Sequence, residues 1–147
     1  MMDLERACVH AAHWNEQQYR QGFETGGAER LVLVAETAPH FTGAANTAEG
    51  SGLVGFLVAR HLAPEWELEN IVVAPTARGK GLGKRLLGAL LTAARETNSS
   101  SVFLEVRESN PAARSLYEKA GFEQTGRRNS YYTNPPEDAV LYRLTLP

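Results

Sequence analysis

The stretch Arg78-Gly79-Lys80-Gly81-Leu82-Gly83 joins two apolar runs of different periodicity. The run before it, Leu68–Val73, is typical of a strand, and the run that it opens, Leu82–Thr97, repeats apolar residues at helical spacing. A glycine-rich turn from a strand into a helix presents unpaired backbone N–H groups at the positive end of the helix dipole. Since glycine has no Cβ, an anion can approach the backbone closely. The stretch therefore predicts a site for a ligand that carries phosphate.

Three phosphate-binding patterns compete for this stretch. A Walker loop does not fit at two positions. It needs a glycine where the chain has Arg78, and it needs a Ser or Thr after Gly83-Lys84, where the chain has Arg85. A Rossmann fingerprint needs its third glycine at the position of Lys84. The pattern [Arg/Gln]-x-x-Gly-x-[Gly/Ala] is filled by Arg78, Gly81 and Gly83, and it resembles the pyrophosphate loop of the GCN5-related N-acetyltransferase (GNAT) superfamily. For the hexapeptide alone, a plain glycine-rich helix cap remains the alternative.

Composition limits the function further. The chain has 147 residues, of which 43% are hydrophobic, and this predicts a single domain spanning residues 1–147 with a packed core. A net charge of −2 gives no footprint for nucleic acid, and no apolar run has the length of a membrane span. The single cysteine, Cys8, and the lack of a secretory segment at the start predict a cytoplasmic protein. No metal-ligand spacing is found, and a monomer is the default expectation.

The order of apolar patterns predicts an α/β fold with a mixed, mostly antiparallel central sheet flanked by helices. Strands are predicted at Arg30–Ala35, Leu53–His61, Glu65–Val73, Val102–Val106, Phe122–Arg127 and Val140–Leu146. Helices are predicted over Asp3–Phe23 (with a break near Trp14), over Leu82–Thr97, and from Asn110 as N-cap to Gly121. Loops are predicted at Thr37–Gly52 and Arg128–Ala139.

Three further segments carry a more specific resemblance. They are Leu104–Asn110, Ala113–Phe122 and Arg127–Tyr132, which reads Arg-Arg-Asn-Ser-Tyr-Tyr. In order and spacing across Glu65–Leu146, they resemble the RimI-type ribosomal-protein-alanine N-acetyltransferases, a branch of the GNAT superfamily. The resemblance implies the GNAT fold, in which the sheet is splayed around an acetyl-CoA site.

The resemblance also implies a cofactor site for acetyl-CoA and no metal. The strand backbone of Ile71, Val72 and Val73 would bind the pantetheine arm as an added strand would. The pyrophosphate would lie on the N–H groups of Gly79, Lys80, Gly81, Leu82, Gly83 and Lys84. Asn110 resembles an asparagine that contacts the cofactor, although it also suits a helix N-cap.

Two residues resemble the family's catalytic groups. Glu105 would act as the general base on the acceptor amine, and Tyr117 would protonate the thiolate of CoA. The alternatives are an ordinary strand carboxylate paired with Arg107 and a core tyrosine. Glu69 is a second candidate for the base.

The resemblance implies transfer to the N-terminal amine, that of alanine, of a ribosomal acceptor protein. An α-amine has a pKa of about 7.7–8.0 against about 10.4 for lysine, so its basic form is easier to reach near neutral pH. Arg128–Tyr132 resembles the family's loop over the acceptor. Acetylation of lysine or of a small amine is the second hypothesis. The third hypothesis is a non-catalytic acyl-CoA-binding module. It stays open because the chain starts close to Asp3-Leu4, later than is usual in the family.

Overall fold

The computed structural model describes residues 1–6, 17, 29–37, 40–41, 48–49 and 52–147. Its helices are α1 (Met2–Arg6), α2 (Leu82–Glu96) and α3 (Pro111–Lys119), and a short 3-10 helix spans Pro75–Ala77. Its strands are β1 (Arg30–Glu36), β2 (His40–Phe41), β3 (Ala48–Glu49), β4 (Leu53–Leu62), β5 (Glu65–Val73), β6 (Ser101–Arg107), β7 (Glu123–Thr133) and β8 (Pro136–Thr145). Beyond Arg6, the predicted N-terminal helical region lies outside the described residues, apart from residue 17.

Six strands form one open sheet in the order β1-β4-β5-β6-β8-β7. Neighbouring strands of this sheet pair antiparallel, except for β5 and β6, which are parallel. A parallel pair needs a crossover, and α2 supplies it. The prediction of a mixed, mostly antiparallel sheet flanked by helices is confirmed.

The sheet separates two apolar layers. On one face, α2 buries the residues that repeat at helical spacing, and α3 buries Tyr117 in the same core. The α2 residues are Leu86, Leu87, Leu90, Leu91 and Ala94. On the other face, Phe56, Val58 and Val72 form a smaller cluster with Met1 and Leu4 of the N-terminal segment. The side chains of each strand therefore alternate between the α2–α3 face and the α1 face.

The parallel pairing between β5 and β6 is short. It joins Glu65–Leu68 to Ser101–Leu104 and ends there, although β5 continues to Val73. The register of β5 against β4 shifts at the same point, since Leu68 and Asn70 pair with adjacent β4 residues and Glu69 is the extra residue of a bulge. From Glu69 onward the two strands part, and this splay was predicted from the family resemblance.

Two predicted loops contain strands. Within Thr37–Gly52, β2 and β3 pair with each other. The prediction of a loop over Arg128–Ala139 is wrong, because β7 extends to Thr133 and β8 begins at Pro136, with only a turn between them. Most residues of β7 are exposed, so this edge strand lacks the apolar alternation by which strands are predicted.

Candidate active site

The glycine-rich turn leaves the start of α2 open. Gly79 and Gly81 have φ angles of 73° and 77°, a left-handed conformation that favours glycine. Gly81 is the N-cap of α2 and offers no side-chain acceptor, so no side chain caps the first N–H groups of the helix. Arg78 donates a hydrogen bond from Nε to the carbonyl oxygen of Val73 at 3.2 Å. This contact ties the turn to the end of β5.

A cleft of about 360 Å³ lies against this turn. Nine of the ten predicted cofactor residues line it, namely Ile71, Val72, Val73, Gly79, Gly81, Leu82, Gly83, Lys84 and Asn110. The tenth, Lys80, lines a neighbouring groove between β1 and α2. The cleft walls also include Ala113 and Leu116 of α3, which belong to the segment Ala113–Phe122 but are not among the predicted cofactor residues.

Gly83 allows a close approach between α2 and α3. A Cβ built on Gly83 would lie 3.3 Å from Cδ2 of Leu116 and 3.9 Å from Cγ2 of Val73. The first distance is shorter than ordinary van der Waals contact, so an added Cβ requires the Leu116 side chain to shift by a few tenths of an ångström. Since Gly83 and Leu116 both line the cleft, a larger residue at position 83 would alter its wall.

Asn110 begins α3 as predicted. Its Oδ1 accepts a hydrogen bond from the backbone N–H of Ala113 at 3.1 Å, and Pro111 occupies the first helical turn. The cap uses the side-chain oxygen and leaves the side-chain NH₂ donors for another partner. Since Asn110 also lines the cleft, it can cap the helix and donate to a ligand at the same time.

Tyr117 lies in the core below the cleft. Its side chain is buried between the rings of Phe122 and Tyr142, with centroid distances of 5.9 Å and 6.2 Å. Burial, followed by the nearby Tyr132, raises the pKa of the Tyr117 hydroxyl far above its usual range. The phenol therefore keeps its proton at every working pH of an enzyme. The expectation of a core tyrosine is met, and the role as an acid stays a prediction.

Glu105 lies on the opposite face of the sheet from α2, since Leu104 and Val106 on either side of it belong to the α2 core. Its Oε1 is 3.1 Å from Nε of Arg128. The sequence-based pairing with Arg107 is wrong. Arg107 instead contacts Glu137 at 3.2 Å, a partner that lies 30 residues away in sequence.

Two tyrosines of β7 lie near Glu105. The register of β7 against β8 shifts between Arg128 and Tyr132, and Ser130 has a φ of 51°. The interaction with Glu105, followed by burial, raises the pKa of Tyr131. Burial raises the pKa of Tyr132 to about 12, and the guanidinium of Arg107 lies 4.0 Å from its ring centroid. The two tyrosine rings meet edge to face at 5.2 Å.

Glu69, the second candidate for a base, is held differently. Arg30 donates two hydrogen bonds to its carboxylate, at 2.9 Å and 3.0 Å, and Nε of Arg60 is 3.6 Å away. Two guanidinium groups therefore surround a carboxylate whose side chain is only 11% exposed. This geometry favours a structural ion pair over a base that is free to receive a proton.

The site has two sides, which meet where β5 and β6 part. The cleft with the glycine turn lies toward α2 and α3, whereas Glu105 and Arg128 lie on the other face. Within the described part of the chain, no three His, Cys, Asp or Glu side chains are grouped closely enough to hold a metal ion. No described helix has the length and apolar character needed to span a membrane.

Comparison with known proteins agrees with this geometry. Residues 4–122 match the model of the acetyltransferase (GNAT) family. A [ribosomal protein bS18]-alanine N-acetyltransferase from Haemophilus influenzae is 42% identical over 101 residues, which cover 67% of this chain and 68% of that protein.

Solved structures agree as well. The ribosomal-protein-S18-alanine N-acetyltransferase from Escherichia coli superposes with a TM-score of 0.75 at 28% identity, covering 98% of this chain and 84% of that one. An acetyltransferase from Bacillus anthracis, solved in complex with acetyl coenzyme A, has a TM-score of 0.59 at 32% identity and covers 65% of this chain and 57% of that one. The chain therefore belongs to the GNAT family of acetyltransferases.

Proposed function

We propose that the chain transfers the acetyl group of acetyl-CoA to the N-terminal amine, that of alanine, of a ribosomal protein. The observation that carries this proposal is the gap beyond Leu68 and Leu104, which has a glycine turn on one side and Glu105 on the other. The relatives named as ribosomal-protein-alanine N-acetyltransferases support the choice of acceptor.

The residues of the cleft fit acetyl-CoA. The N–H groups of the glycine turn and of the first turn of α2 suit a pyrophosphate, and Lys84 adds positive charge. Ile71, Val73 and Leu116 give the cleft apolar walls that suit a slender pantetheine arm. The register of β5 with β6 ends at Leu68, and Ile71 and Val72 beyond it line the cleft, where their backbone would pair with the amides of that arm.

Bound acetyl-CoA would supply an activated acyl group with a thiolate as leaving group. Glu105 would take a proton from the acceptor's ammonium group, and the neutral amine would then form the new C–N bond while the C–S bond breaks. Tyr117 would give its proton to the departing thiolate. The second proton that the nitrogen loses would replace the one that Tyr117 gives away. Burial keeps the phenol protonated until the thiolate departs, so a proton donor is in place, but the raised pKa also makes it a weaker acid than a solvated tyrosine.

The acceptor side favours an α-amine. A carboxylate base can deprotonate an α-amine, with a pKa of about 8, more readily than a lysine amine, with a pKa of about 10.4. Tyr131 and Tyr132 lie next to Glu105 and offer aromatic walls for the first residues of a peptide. The presence of both Glu105 and Tyr117 argues against a non-catalytic module.

The test is CoA release with three acceptors at one acetyl-CoA concentration. The acceptors are a peptide that starts with alanine, the same peptide with a blocked N-terminus and a free lysine, and a polyamine. We expect turnover with the free alanine terminus alone, with mass spectrometry locating the acetyl group on the α-amine. Turnover with lysine or polyamine would refute the proposed acceptor, and acetyl-CoA binding without any turnover would favour the non-catalytic hypothesis.

A further inference from the structure

The ion pairs of the described residues differ in how exposed their cations are. In the pairs that Arg30 and Arg107 form with carboxylates, the side chains of both partners are 20% exposed or less. Arg128 is 55% exposed, more than any other cation in a described salt bridge, whereas its partner Glu105 is 20% exposed. The carboxylate proposed as the base is therefore paired with a mainly solvated cation.

The contact between Arg128 and Glu105 is a single one. It joins Nε of Arg128 to Oε1 of Glu105 at 3.1 Å. Arg30, in contrast, donates from two of its nitrogens to the two carboxylate oxygens of Glu69. The guanidinium carbon lies 5.4 Å from the ring centroid of Tyr131. An exposed, single-contact pair of this kind contributes little net stability, so another cation can replace Arg128 easily.

The backbone that carries Arg128 is fixed. Arg128 pairs with Ala139 of β8, and the bulge that follows is anchored by the backbone N–H of Ser130, which donates to Oδ1 of Asp138 at 2.8 Å. Rotation of the Arg128 side chain alone can therefore break its ion pair with Glu105 without any change in the sheet, while the interaction of Glu105 with Tyr131 is kept.

We propose that Arg128 occupies the position of the acceptor's ammonium group on Glu105 and leaves it when the acceptor binds. The inference rests on the proposed function. An N-terminal ammonium is a smaller cation that suits the same carboxylate and the same tyrosine ring. The acetylated product is a neutral amide, so it cannot form an ion pair with Glu105 and cannot compete with Arg128 for this carboxylate. Return of the guanidinium to Glu105 then favours product release. Because Arg128 acts through Glu105 and does not react itself, it is a positioning residue for the acceptor.

The exchange can be observed without turnover. L-Alaninamide, which carries an α-ammonium group, would be titrated into ¹⁵N-labelled protein while the Nε–H resonances of Arg128 and Arg127 are followed by NMR. Arg127 is the matched control, because it lies next in sequence and contacts Glu108 and Asp138. We expect the Arg128 resonance to move in the wild type but not in Glu105→Gln, with Arg127 unmoved in both. An unmoved Arg128 resonance, or equal movement of both, would overturn the inference.

The kinetic test uses the alanine-starting peptide at saturating acetyl-CoA. We expect Arg128→Gln to lower the KM for the peptide by about two- to fivefold, the range that an exposed ion pair allows, with a smaller effect on kcat. Arg128→Lys keeps a cation and should keep the wild-type KM, as should Arg127→Gln. A raised or unchanged KM in Arg128→Gln would refute the exchange. Failure of the wild type to acetylate the peptide would refute the proposed function, and the NMR titration would still decide the role of Arg128.

Discussion

Leu68 of β5 and Leu104 of β6 form the last residue pair of the single parallel contact in the described sheet. The next residue on each strand is a glutamate, and the two glutamates are held in different ways. Glu69 receives two hydrogen bonds from Arg30, while Glu105 has one contact with the exposed Arg128. Both carboxylates therefore lie beside the point where the strands part, but arginine side chains hold Glu69 more tightly than Glu105.

We expect Glu105→Gln to lower kcat by about 100-fold, because general base catalysis contributes about 10²- to 10⁴-fold. Its affinity for acetyl-CoA, measured by calorimetry, should not change, since Glu105 does not line the cofactor cleft. Glu69→Gln is the comparison, because it should cost stability in a urea titration and little rate. A loss of rate in Glu69→Gln with full rate in Glu105→Gln would assign the base to Glu69.

Tyr117→Phe should also lower kcat by about 100-fold while acetyl-CoA still binds. Tyr142→Phe provides the matched control, since Tyr142 is an equally buried tyrosine of the same core. The Tyr142 hydroxyl bonds Glu118 at 2.6 Å and Arg114 at 3.2 Å, so its loss should lower the melting temperature and spare the rate. Equal rates in the wild type and Tyr117→Phe would remove this phenol from the mechanism.

Gly83→Ala should weaken acetyl-CoA binding, because the new methyl group would lie 3.3 Å from Leu116 in the wall of the cleft. Gly88→Ala serves as the control on the same helix, since nothing lies within 4 Å of its Cβ position. It should stabilise α2 by about 0.5–1 kcal/mol and leave the dissociation constant unchanged. The prediction fails if both substitutions change the dissociation constant equally.

Stability should fall as the pH rises above 10. Burial raises the pKa of Tyr132 to about 12, whereas an unfolded tyrosine titrates near about 10. Between these values the unfolded state releases a proton that the folded state keeps, so unfolding becomes easier by about 1.4 kcal/mol per pH unit for each such tyrosine. In urea titrations from pH 8 to 11.5, Tyr132→Phe should show a shallower decline than the wild type. Identical slopes would contradict the raised pKa of Tyr132.

Local patterns predicted the elements that build the cleft. The bounds of β5 were predicted at Glu65–Val73, and α2 was predicted within one residue, because an alternating strand and an amphipathic helix carry strong periodic signals. The helix cap at Asn110 was also predicted, because proline follows it directly.

The acceptor side could not be predicted in the same detail, because it depends on contacts between distant residues. The partner of Arg107 is Glu137, and that of Glu69 is Arg30, 39 residues before it. β7 is an exposed edge strand with a bulge at Ser130, and its sequence shows polar residues where an apolar alternation would mark a strand. Only the three-dimensional pairing of β7 with β8 places Arg128 beside Glu105.

The splay of β5 from β6 has a consequence for the order of events in a catalytic cycle. The cleft opens toward α2 and α3, while Glu105 faces the opposite side of the sheet. Under the proposed function, neither substrate would lie in the path of the other. We expect a ternary complex that assembles in either order, and initial-rate plots whose lines intersect. Each product can then depart through the face by which its substrate arrived, so successive turnovers require no rearrangement of the sheet.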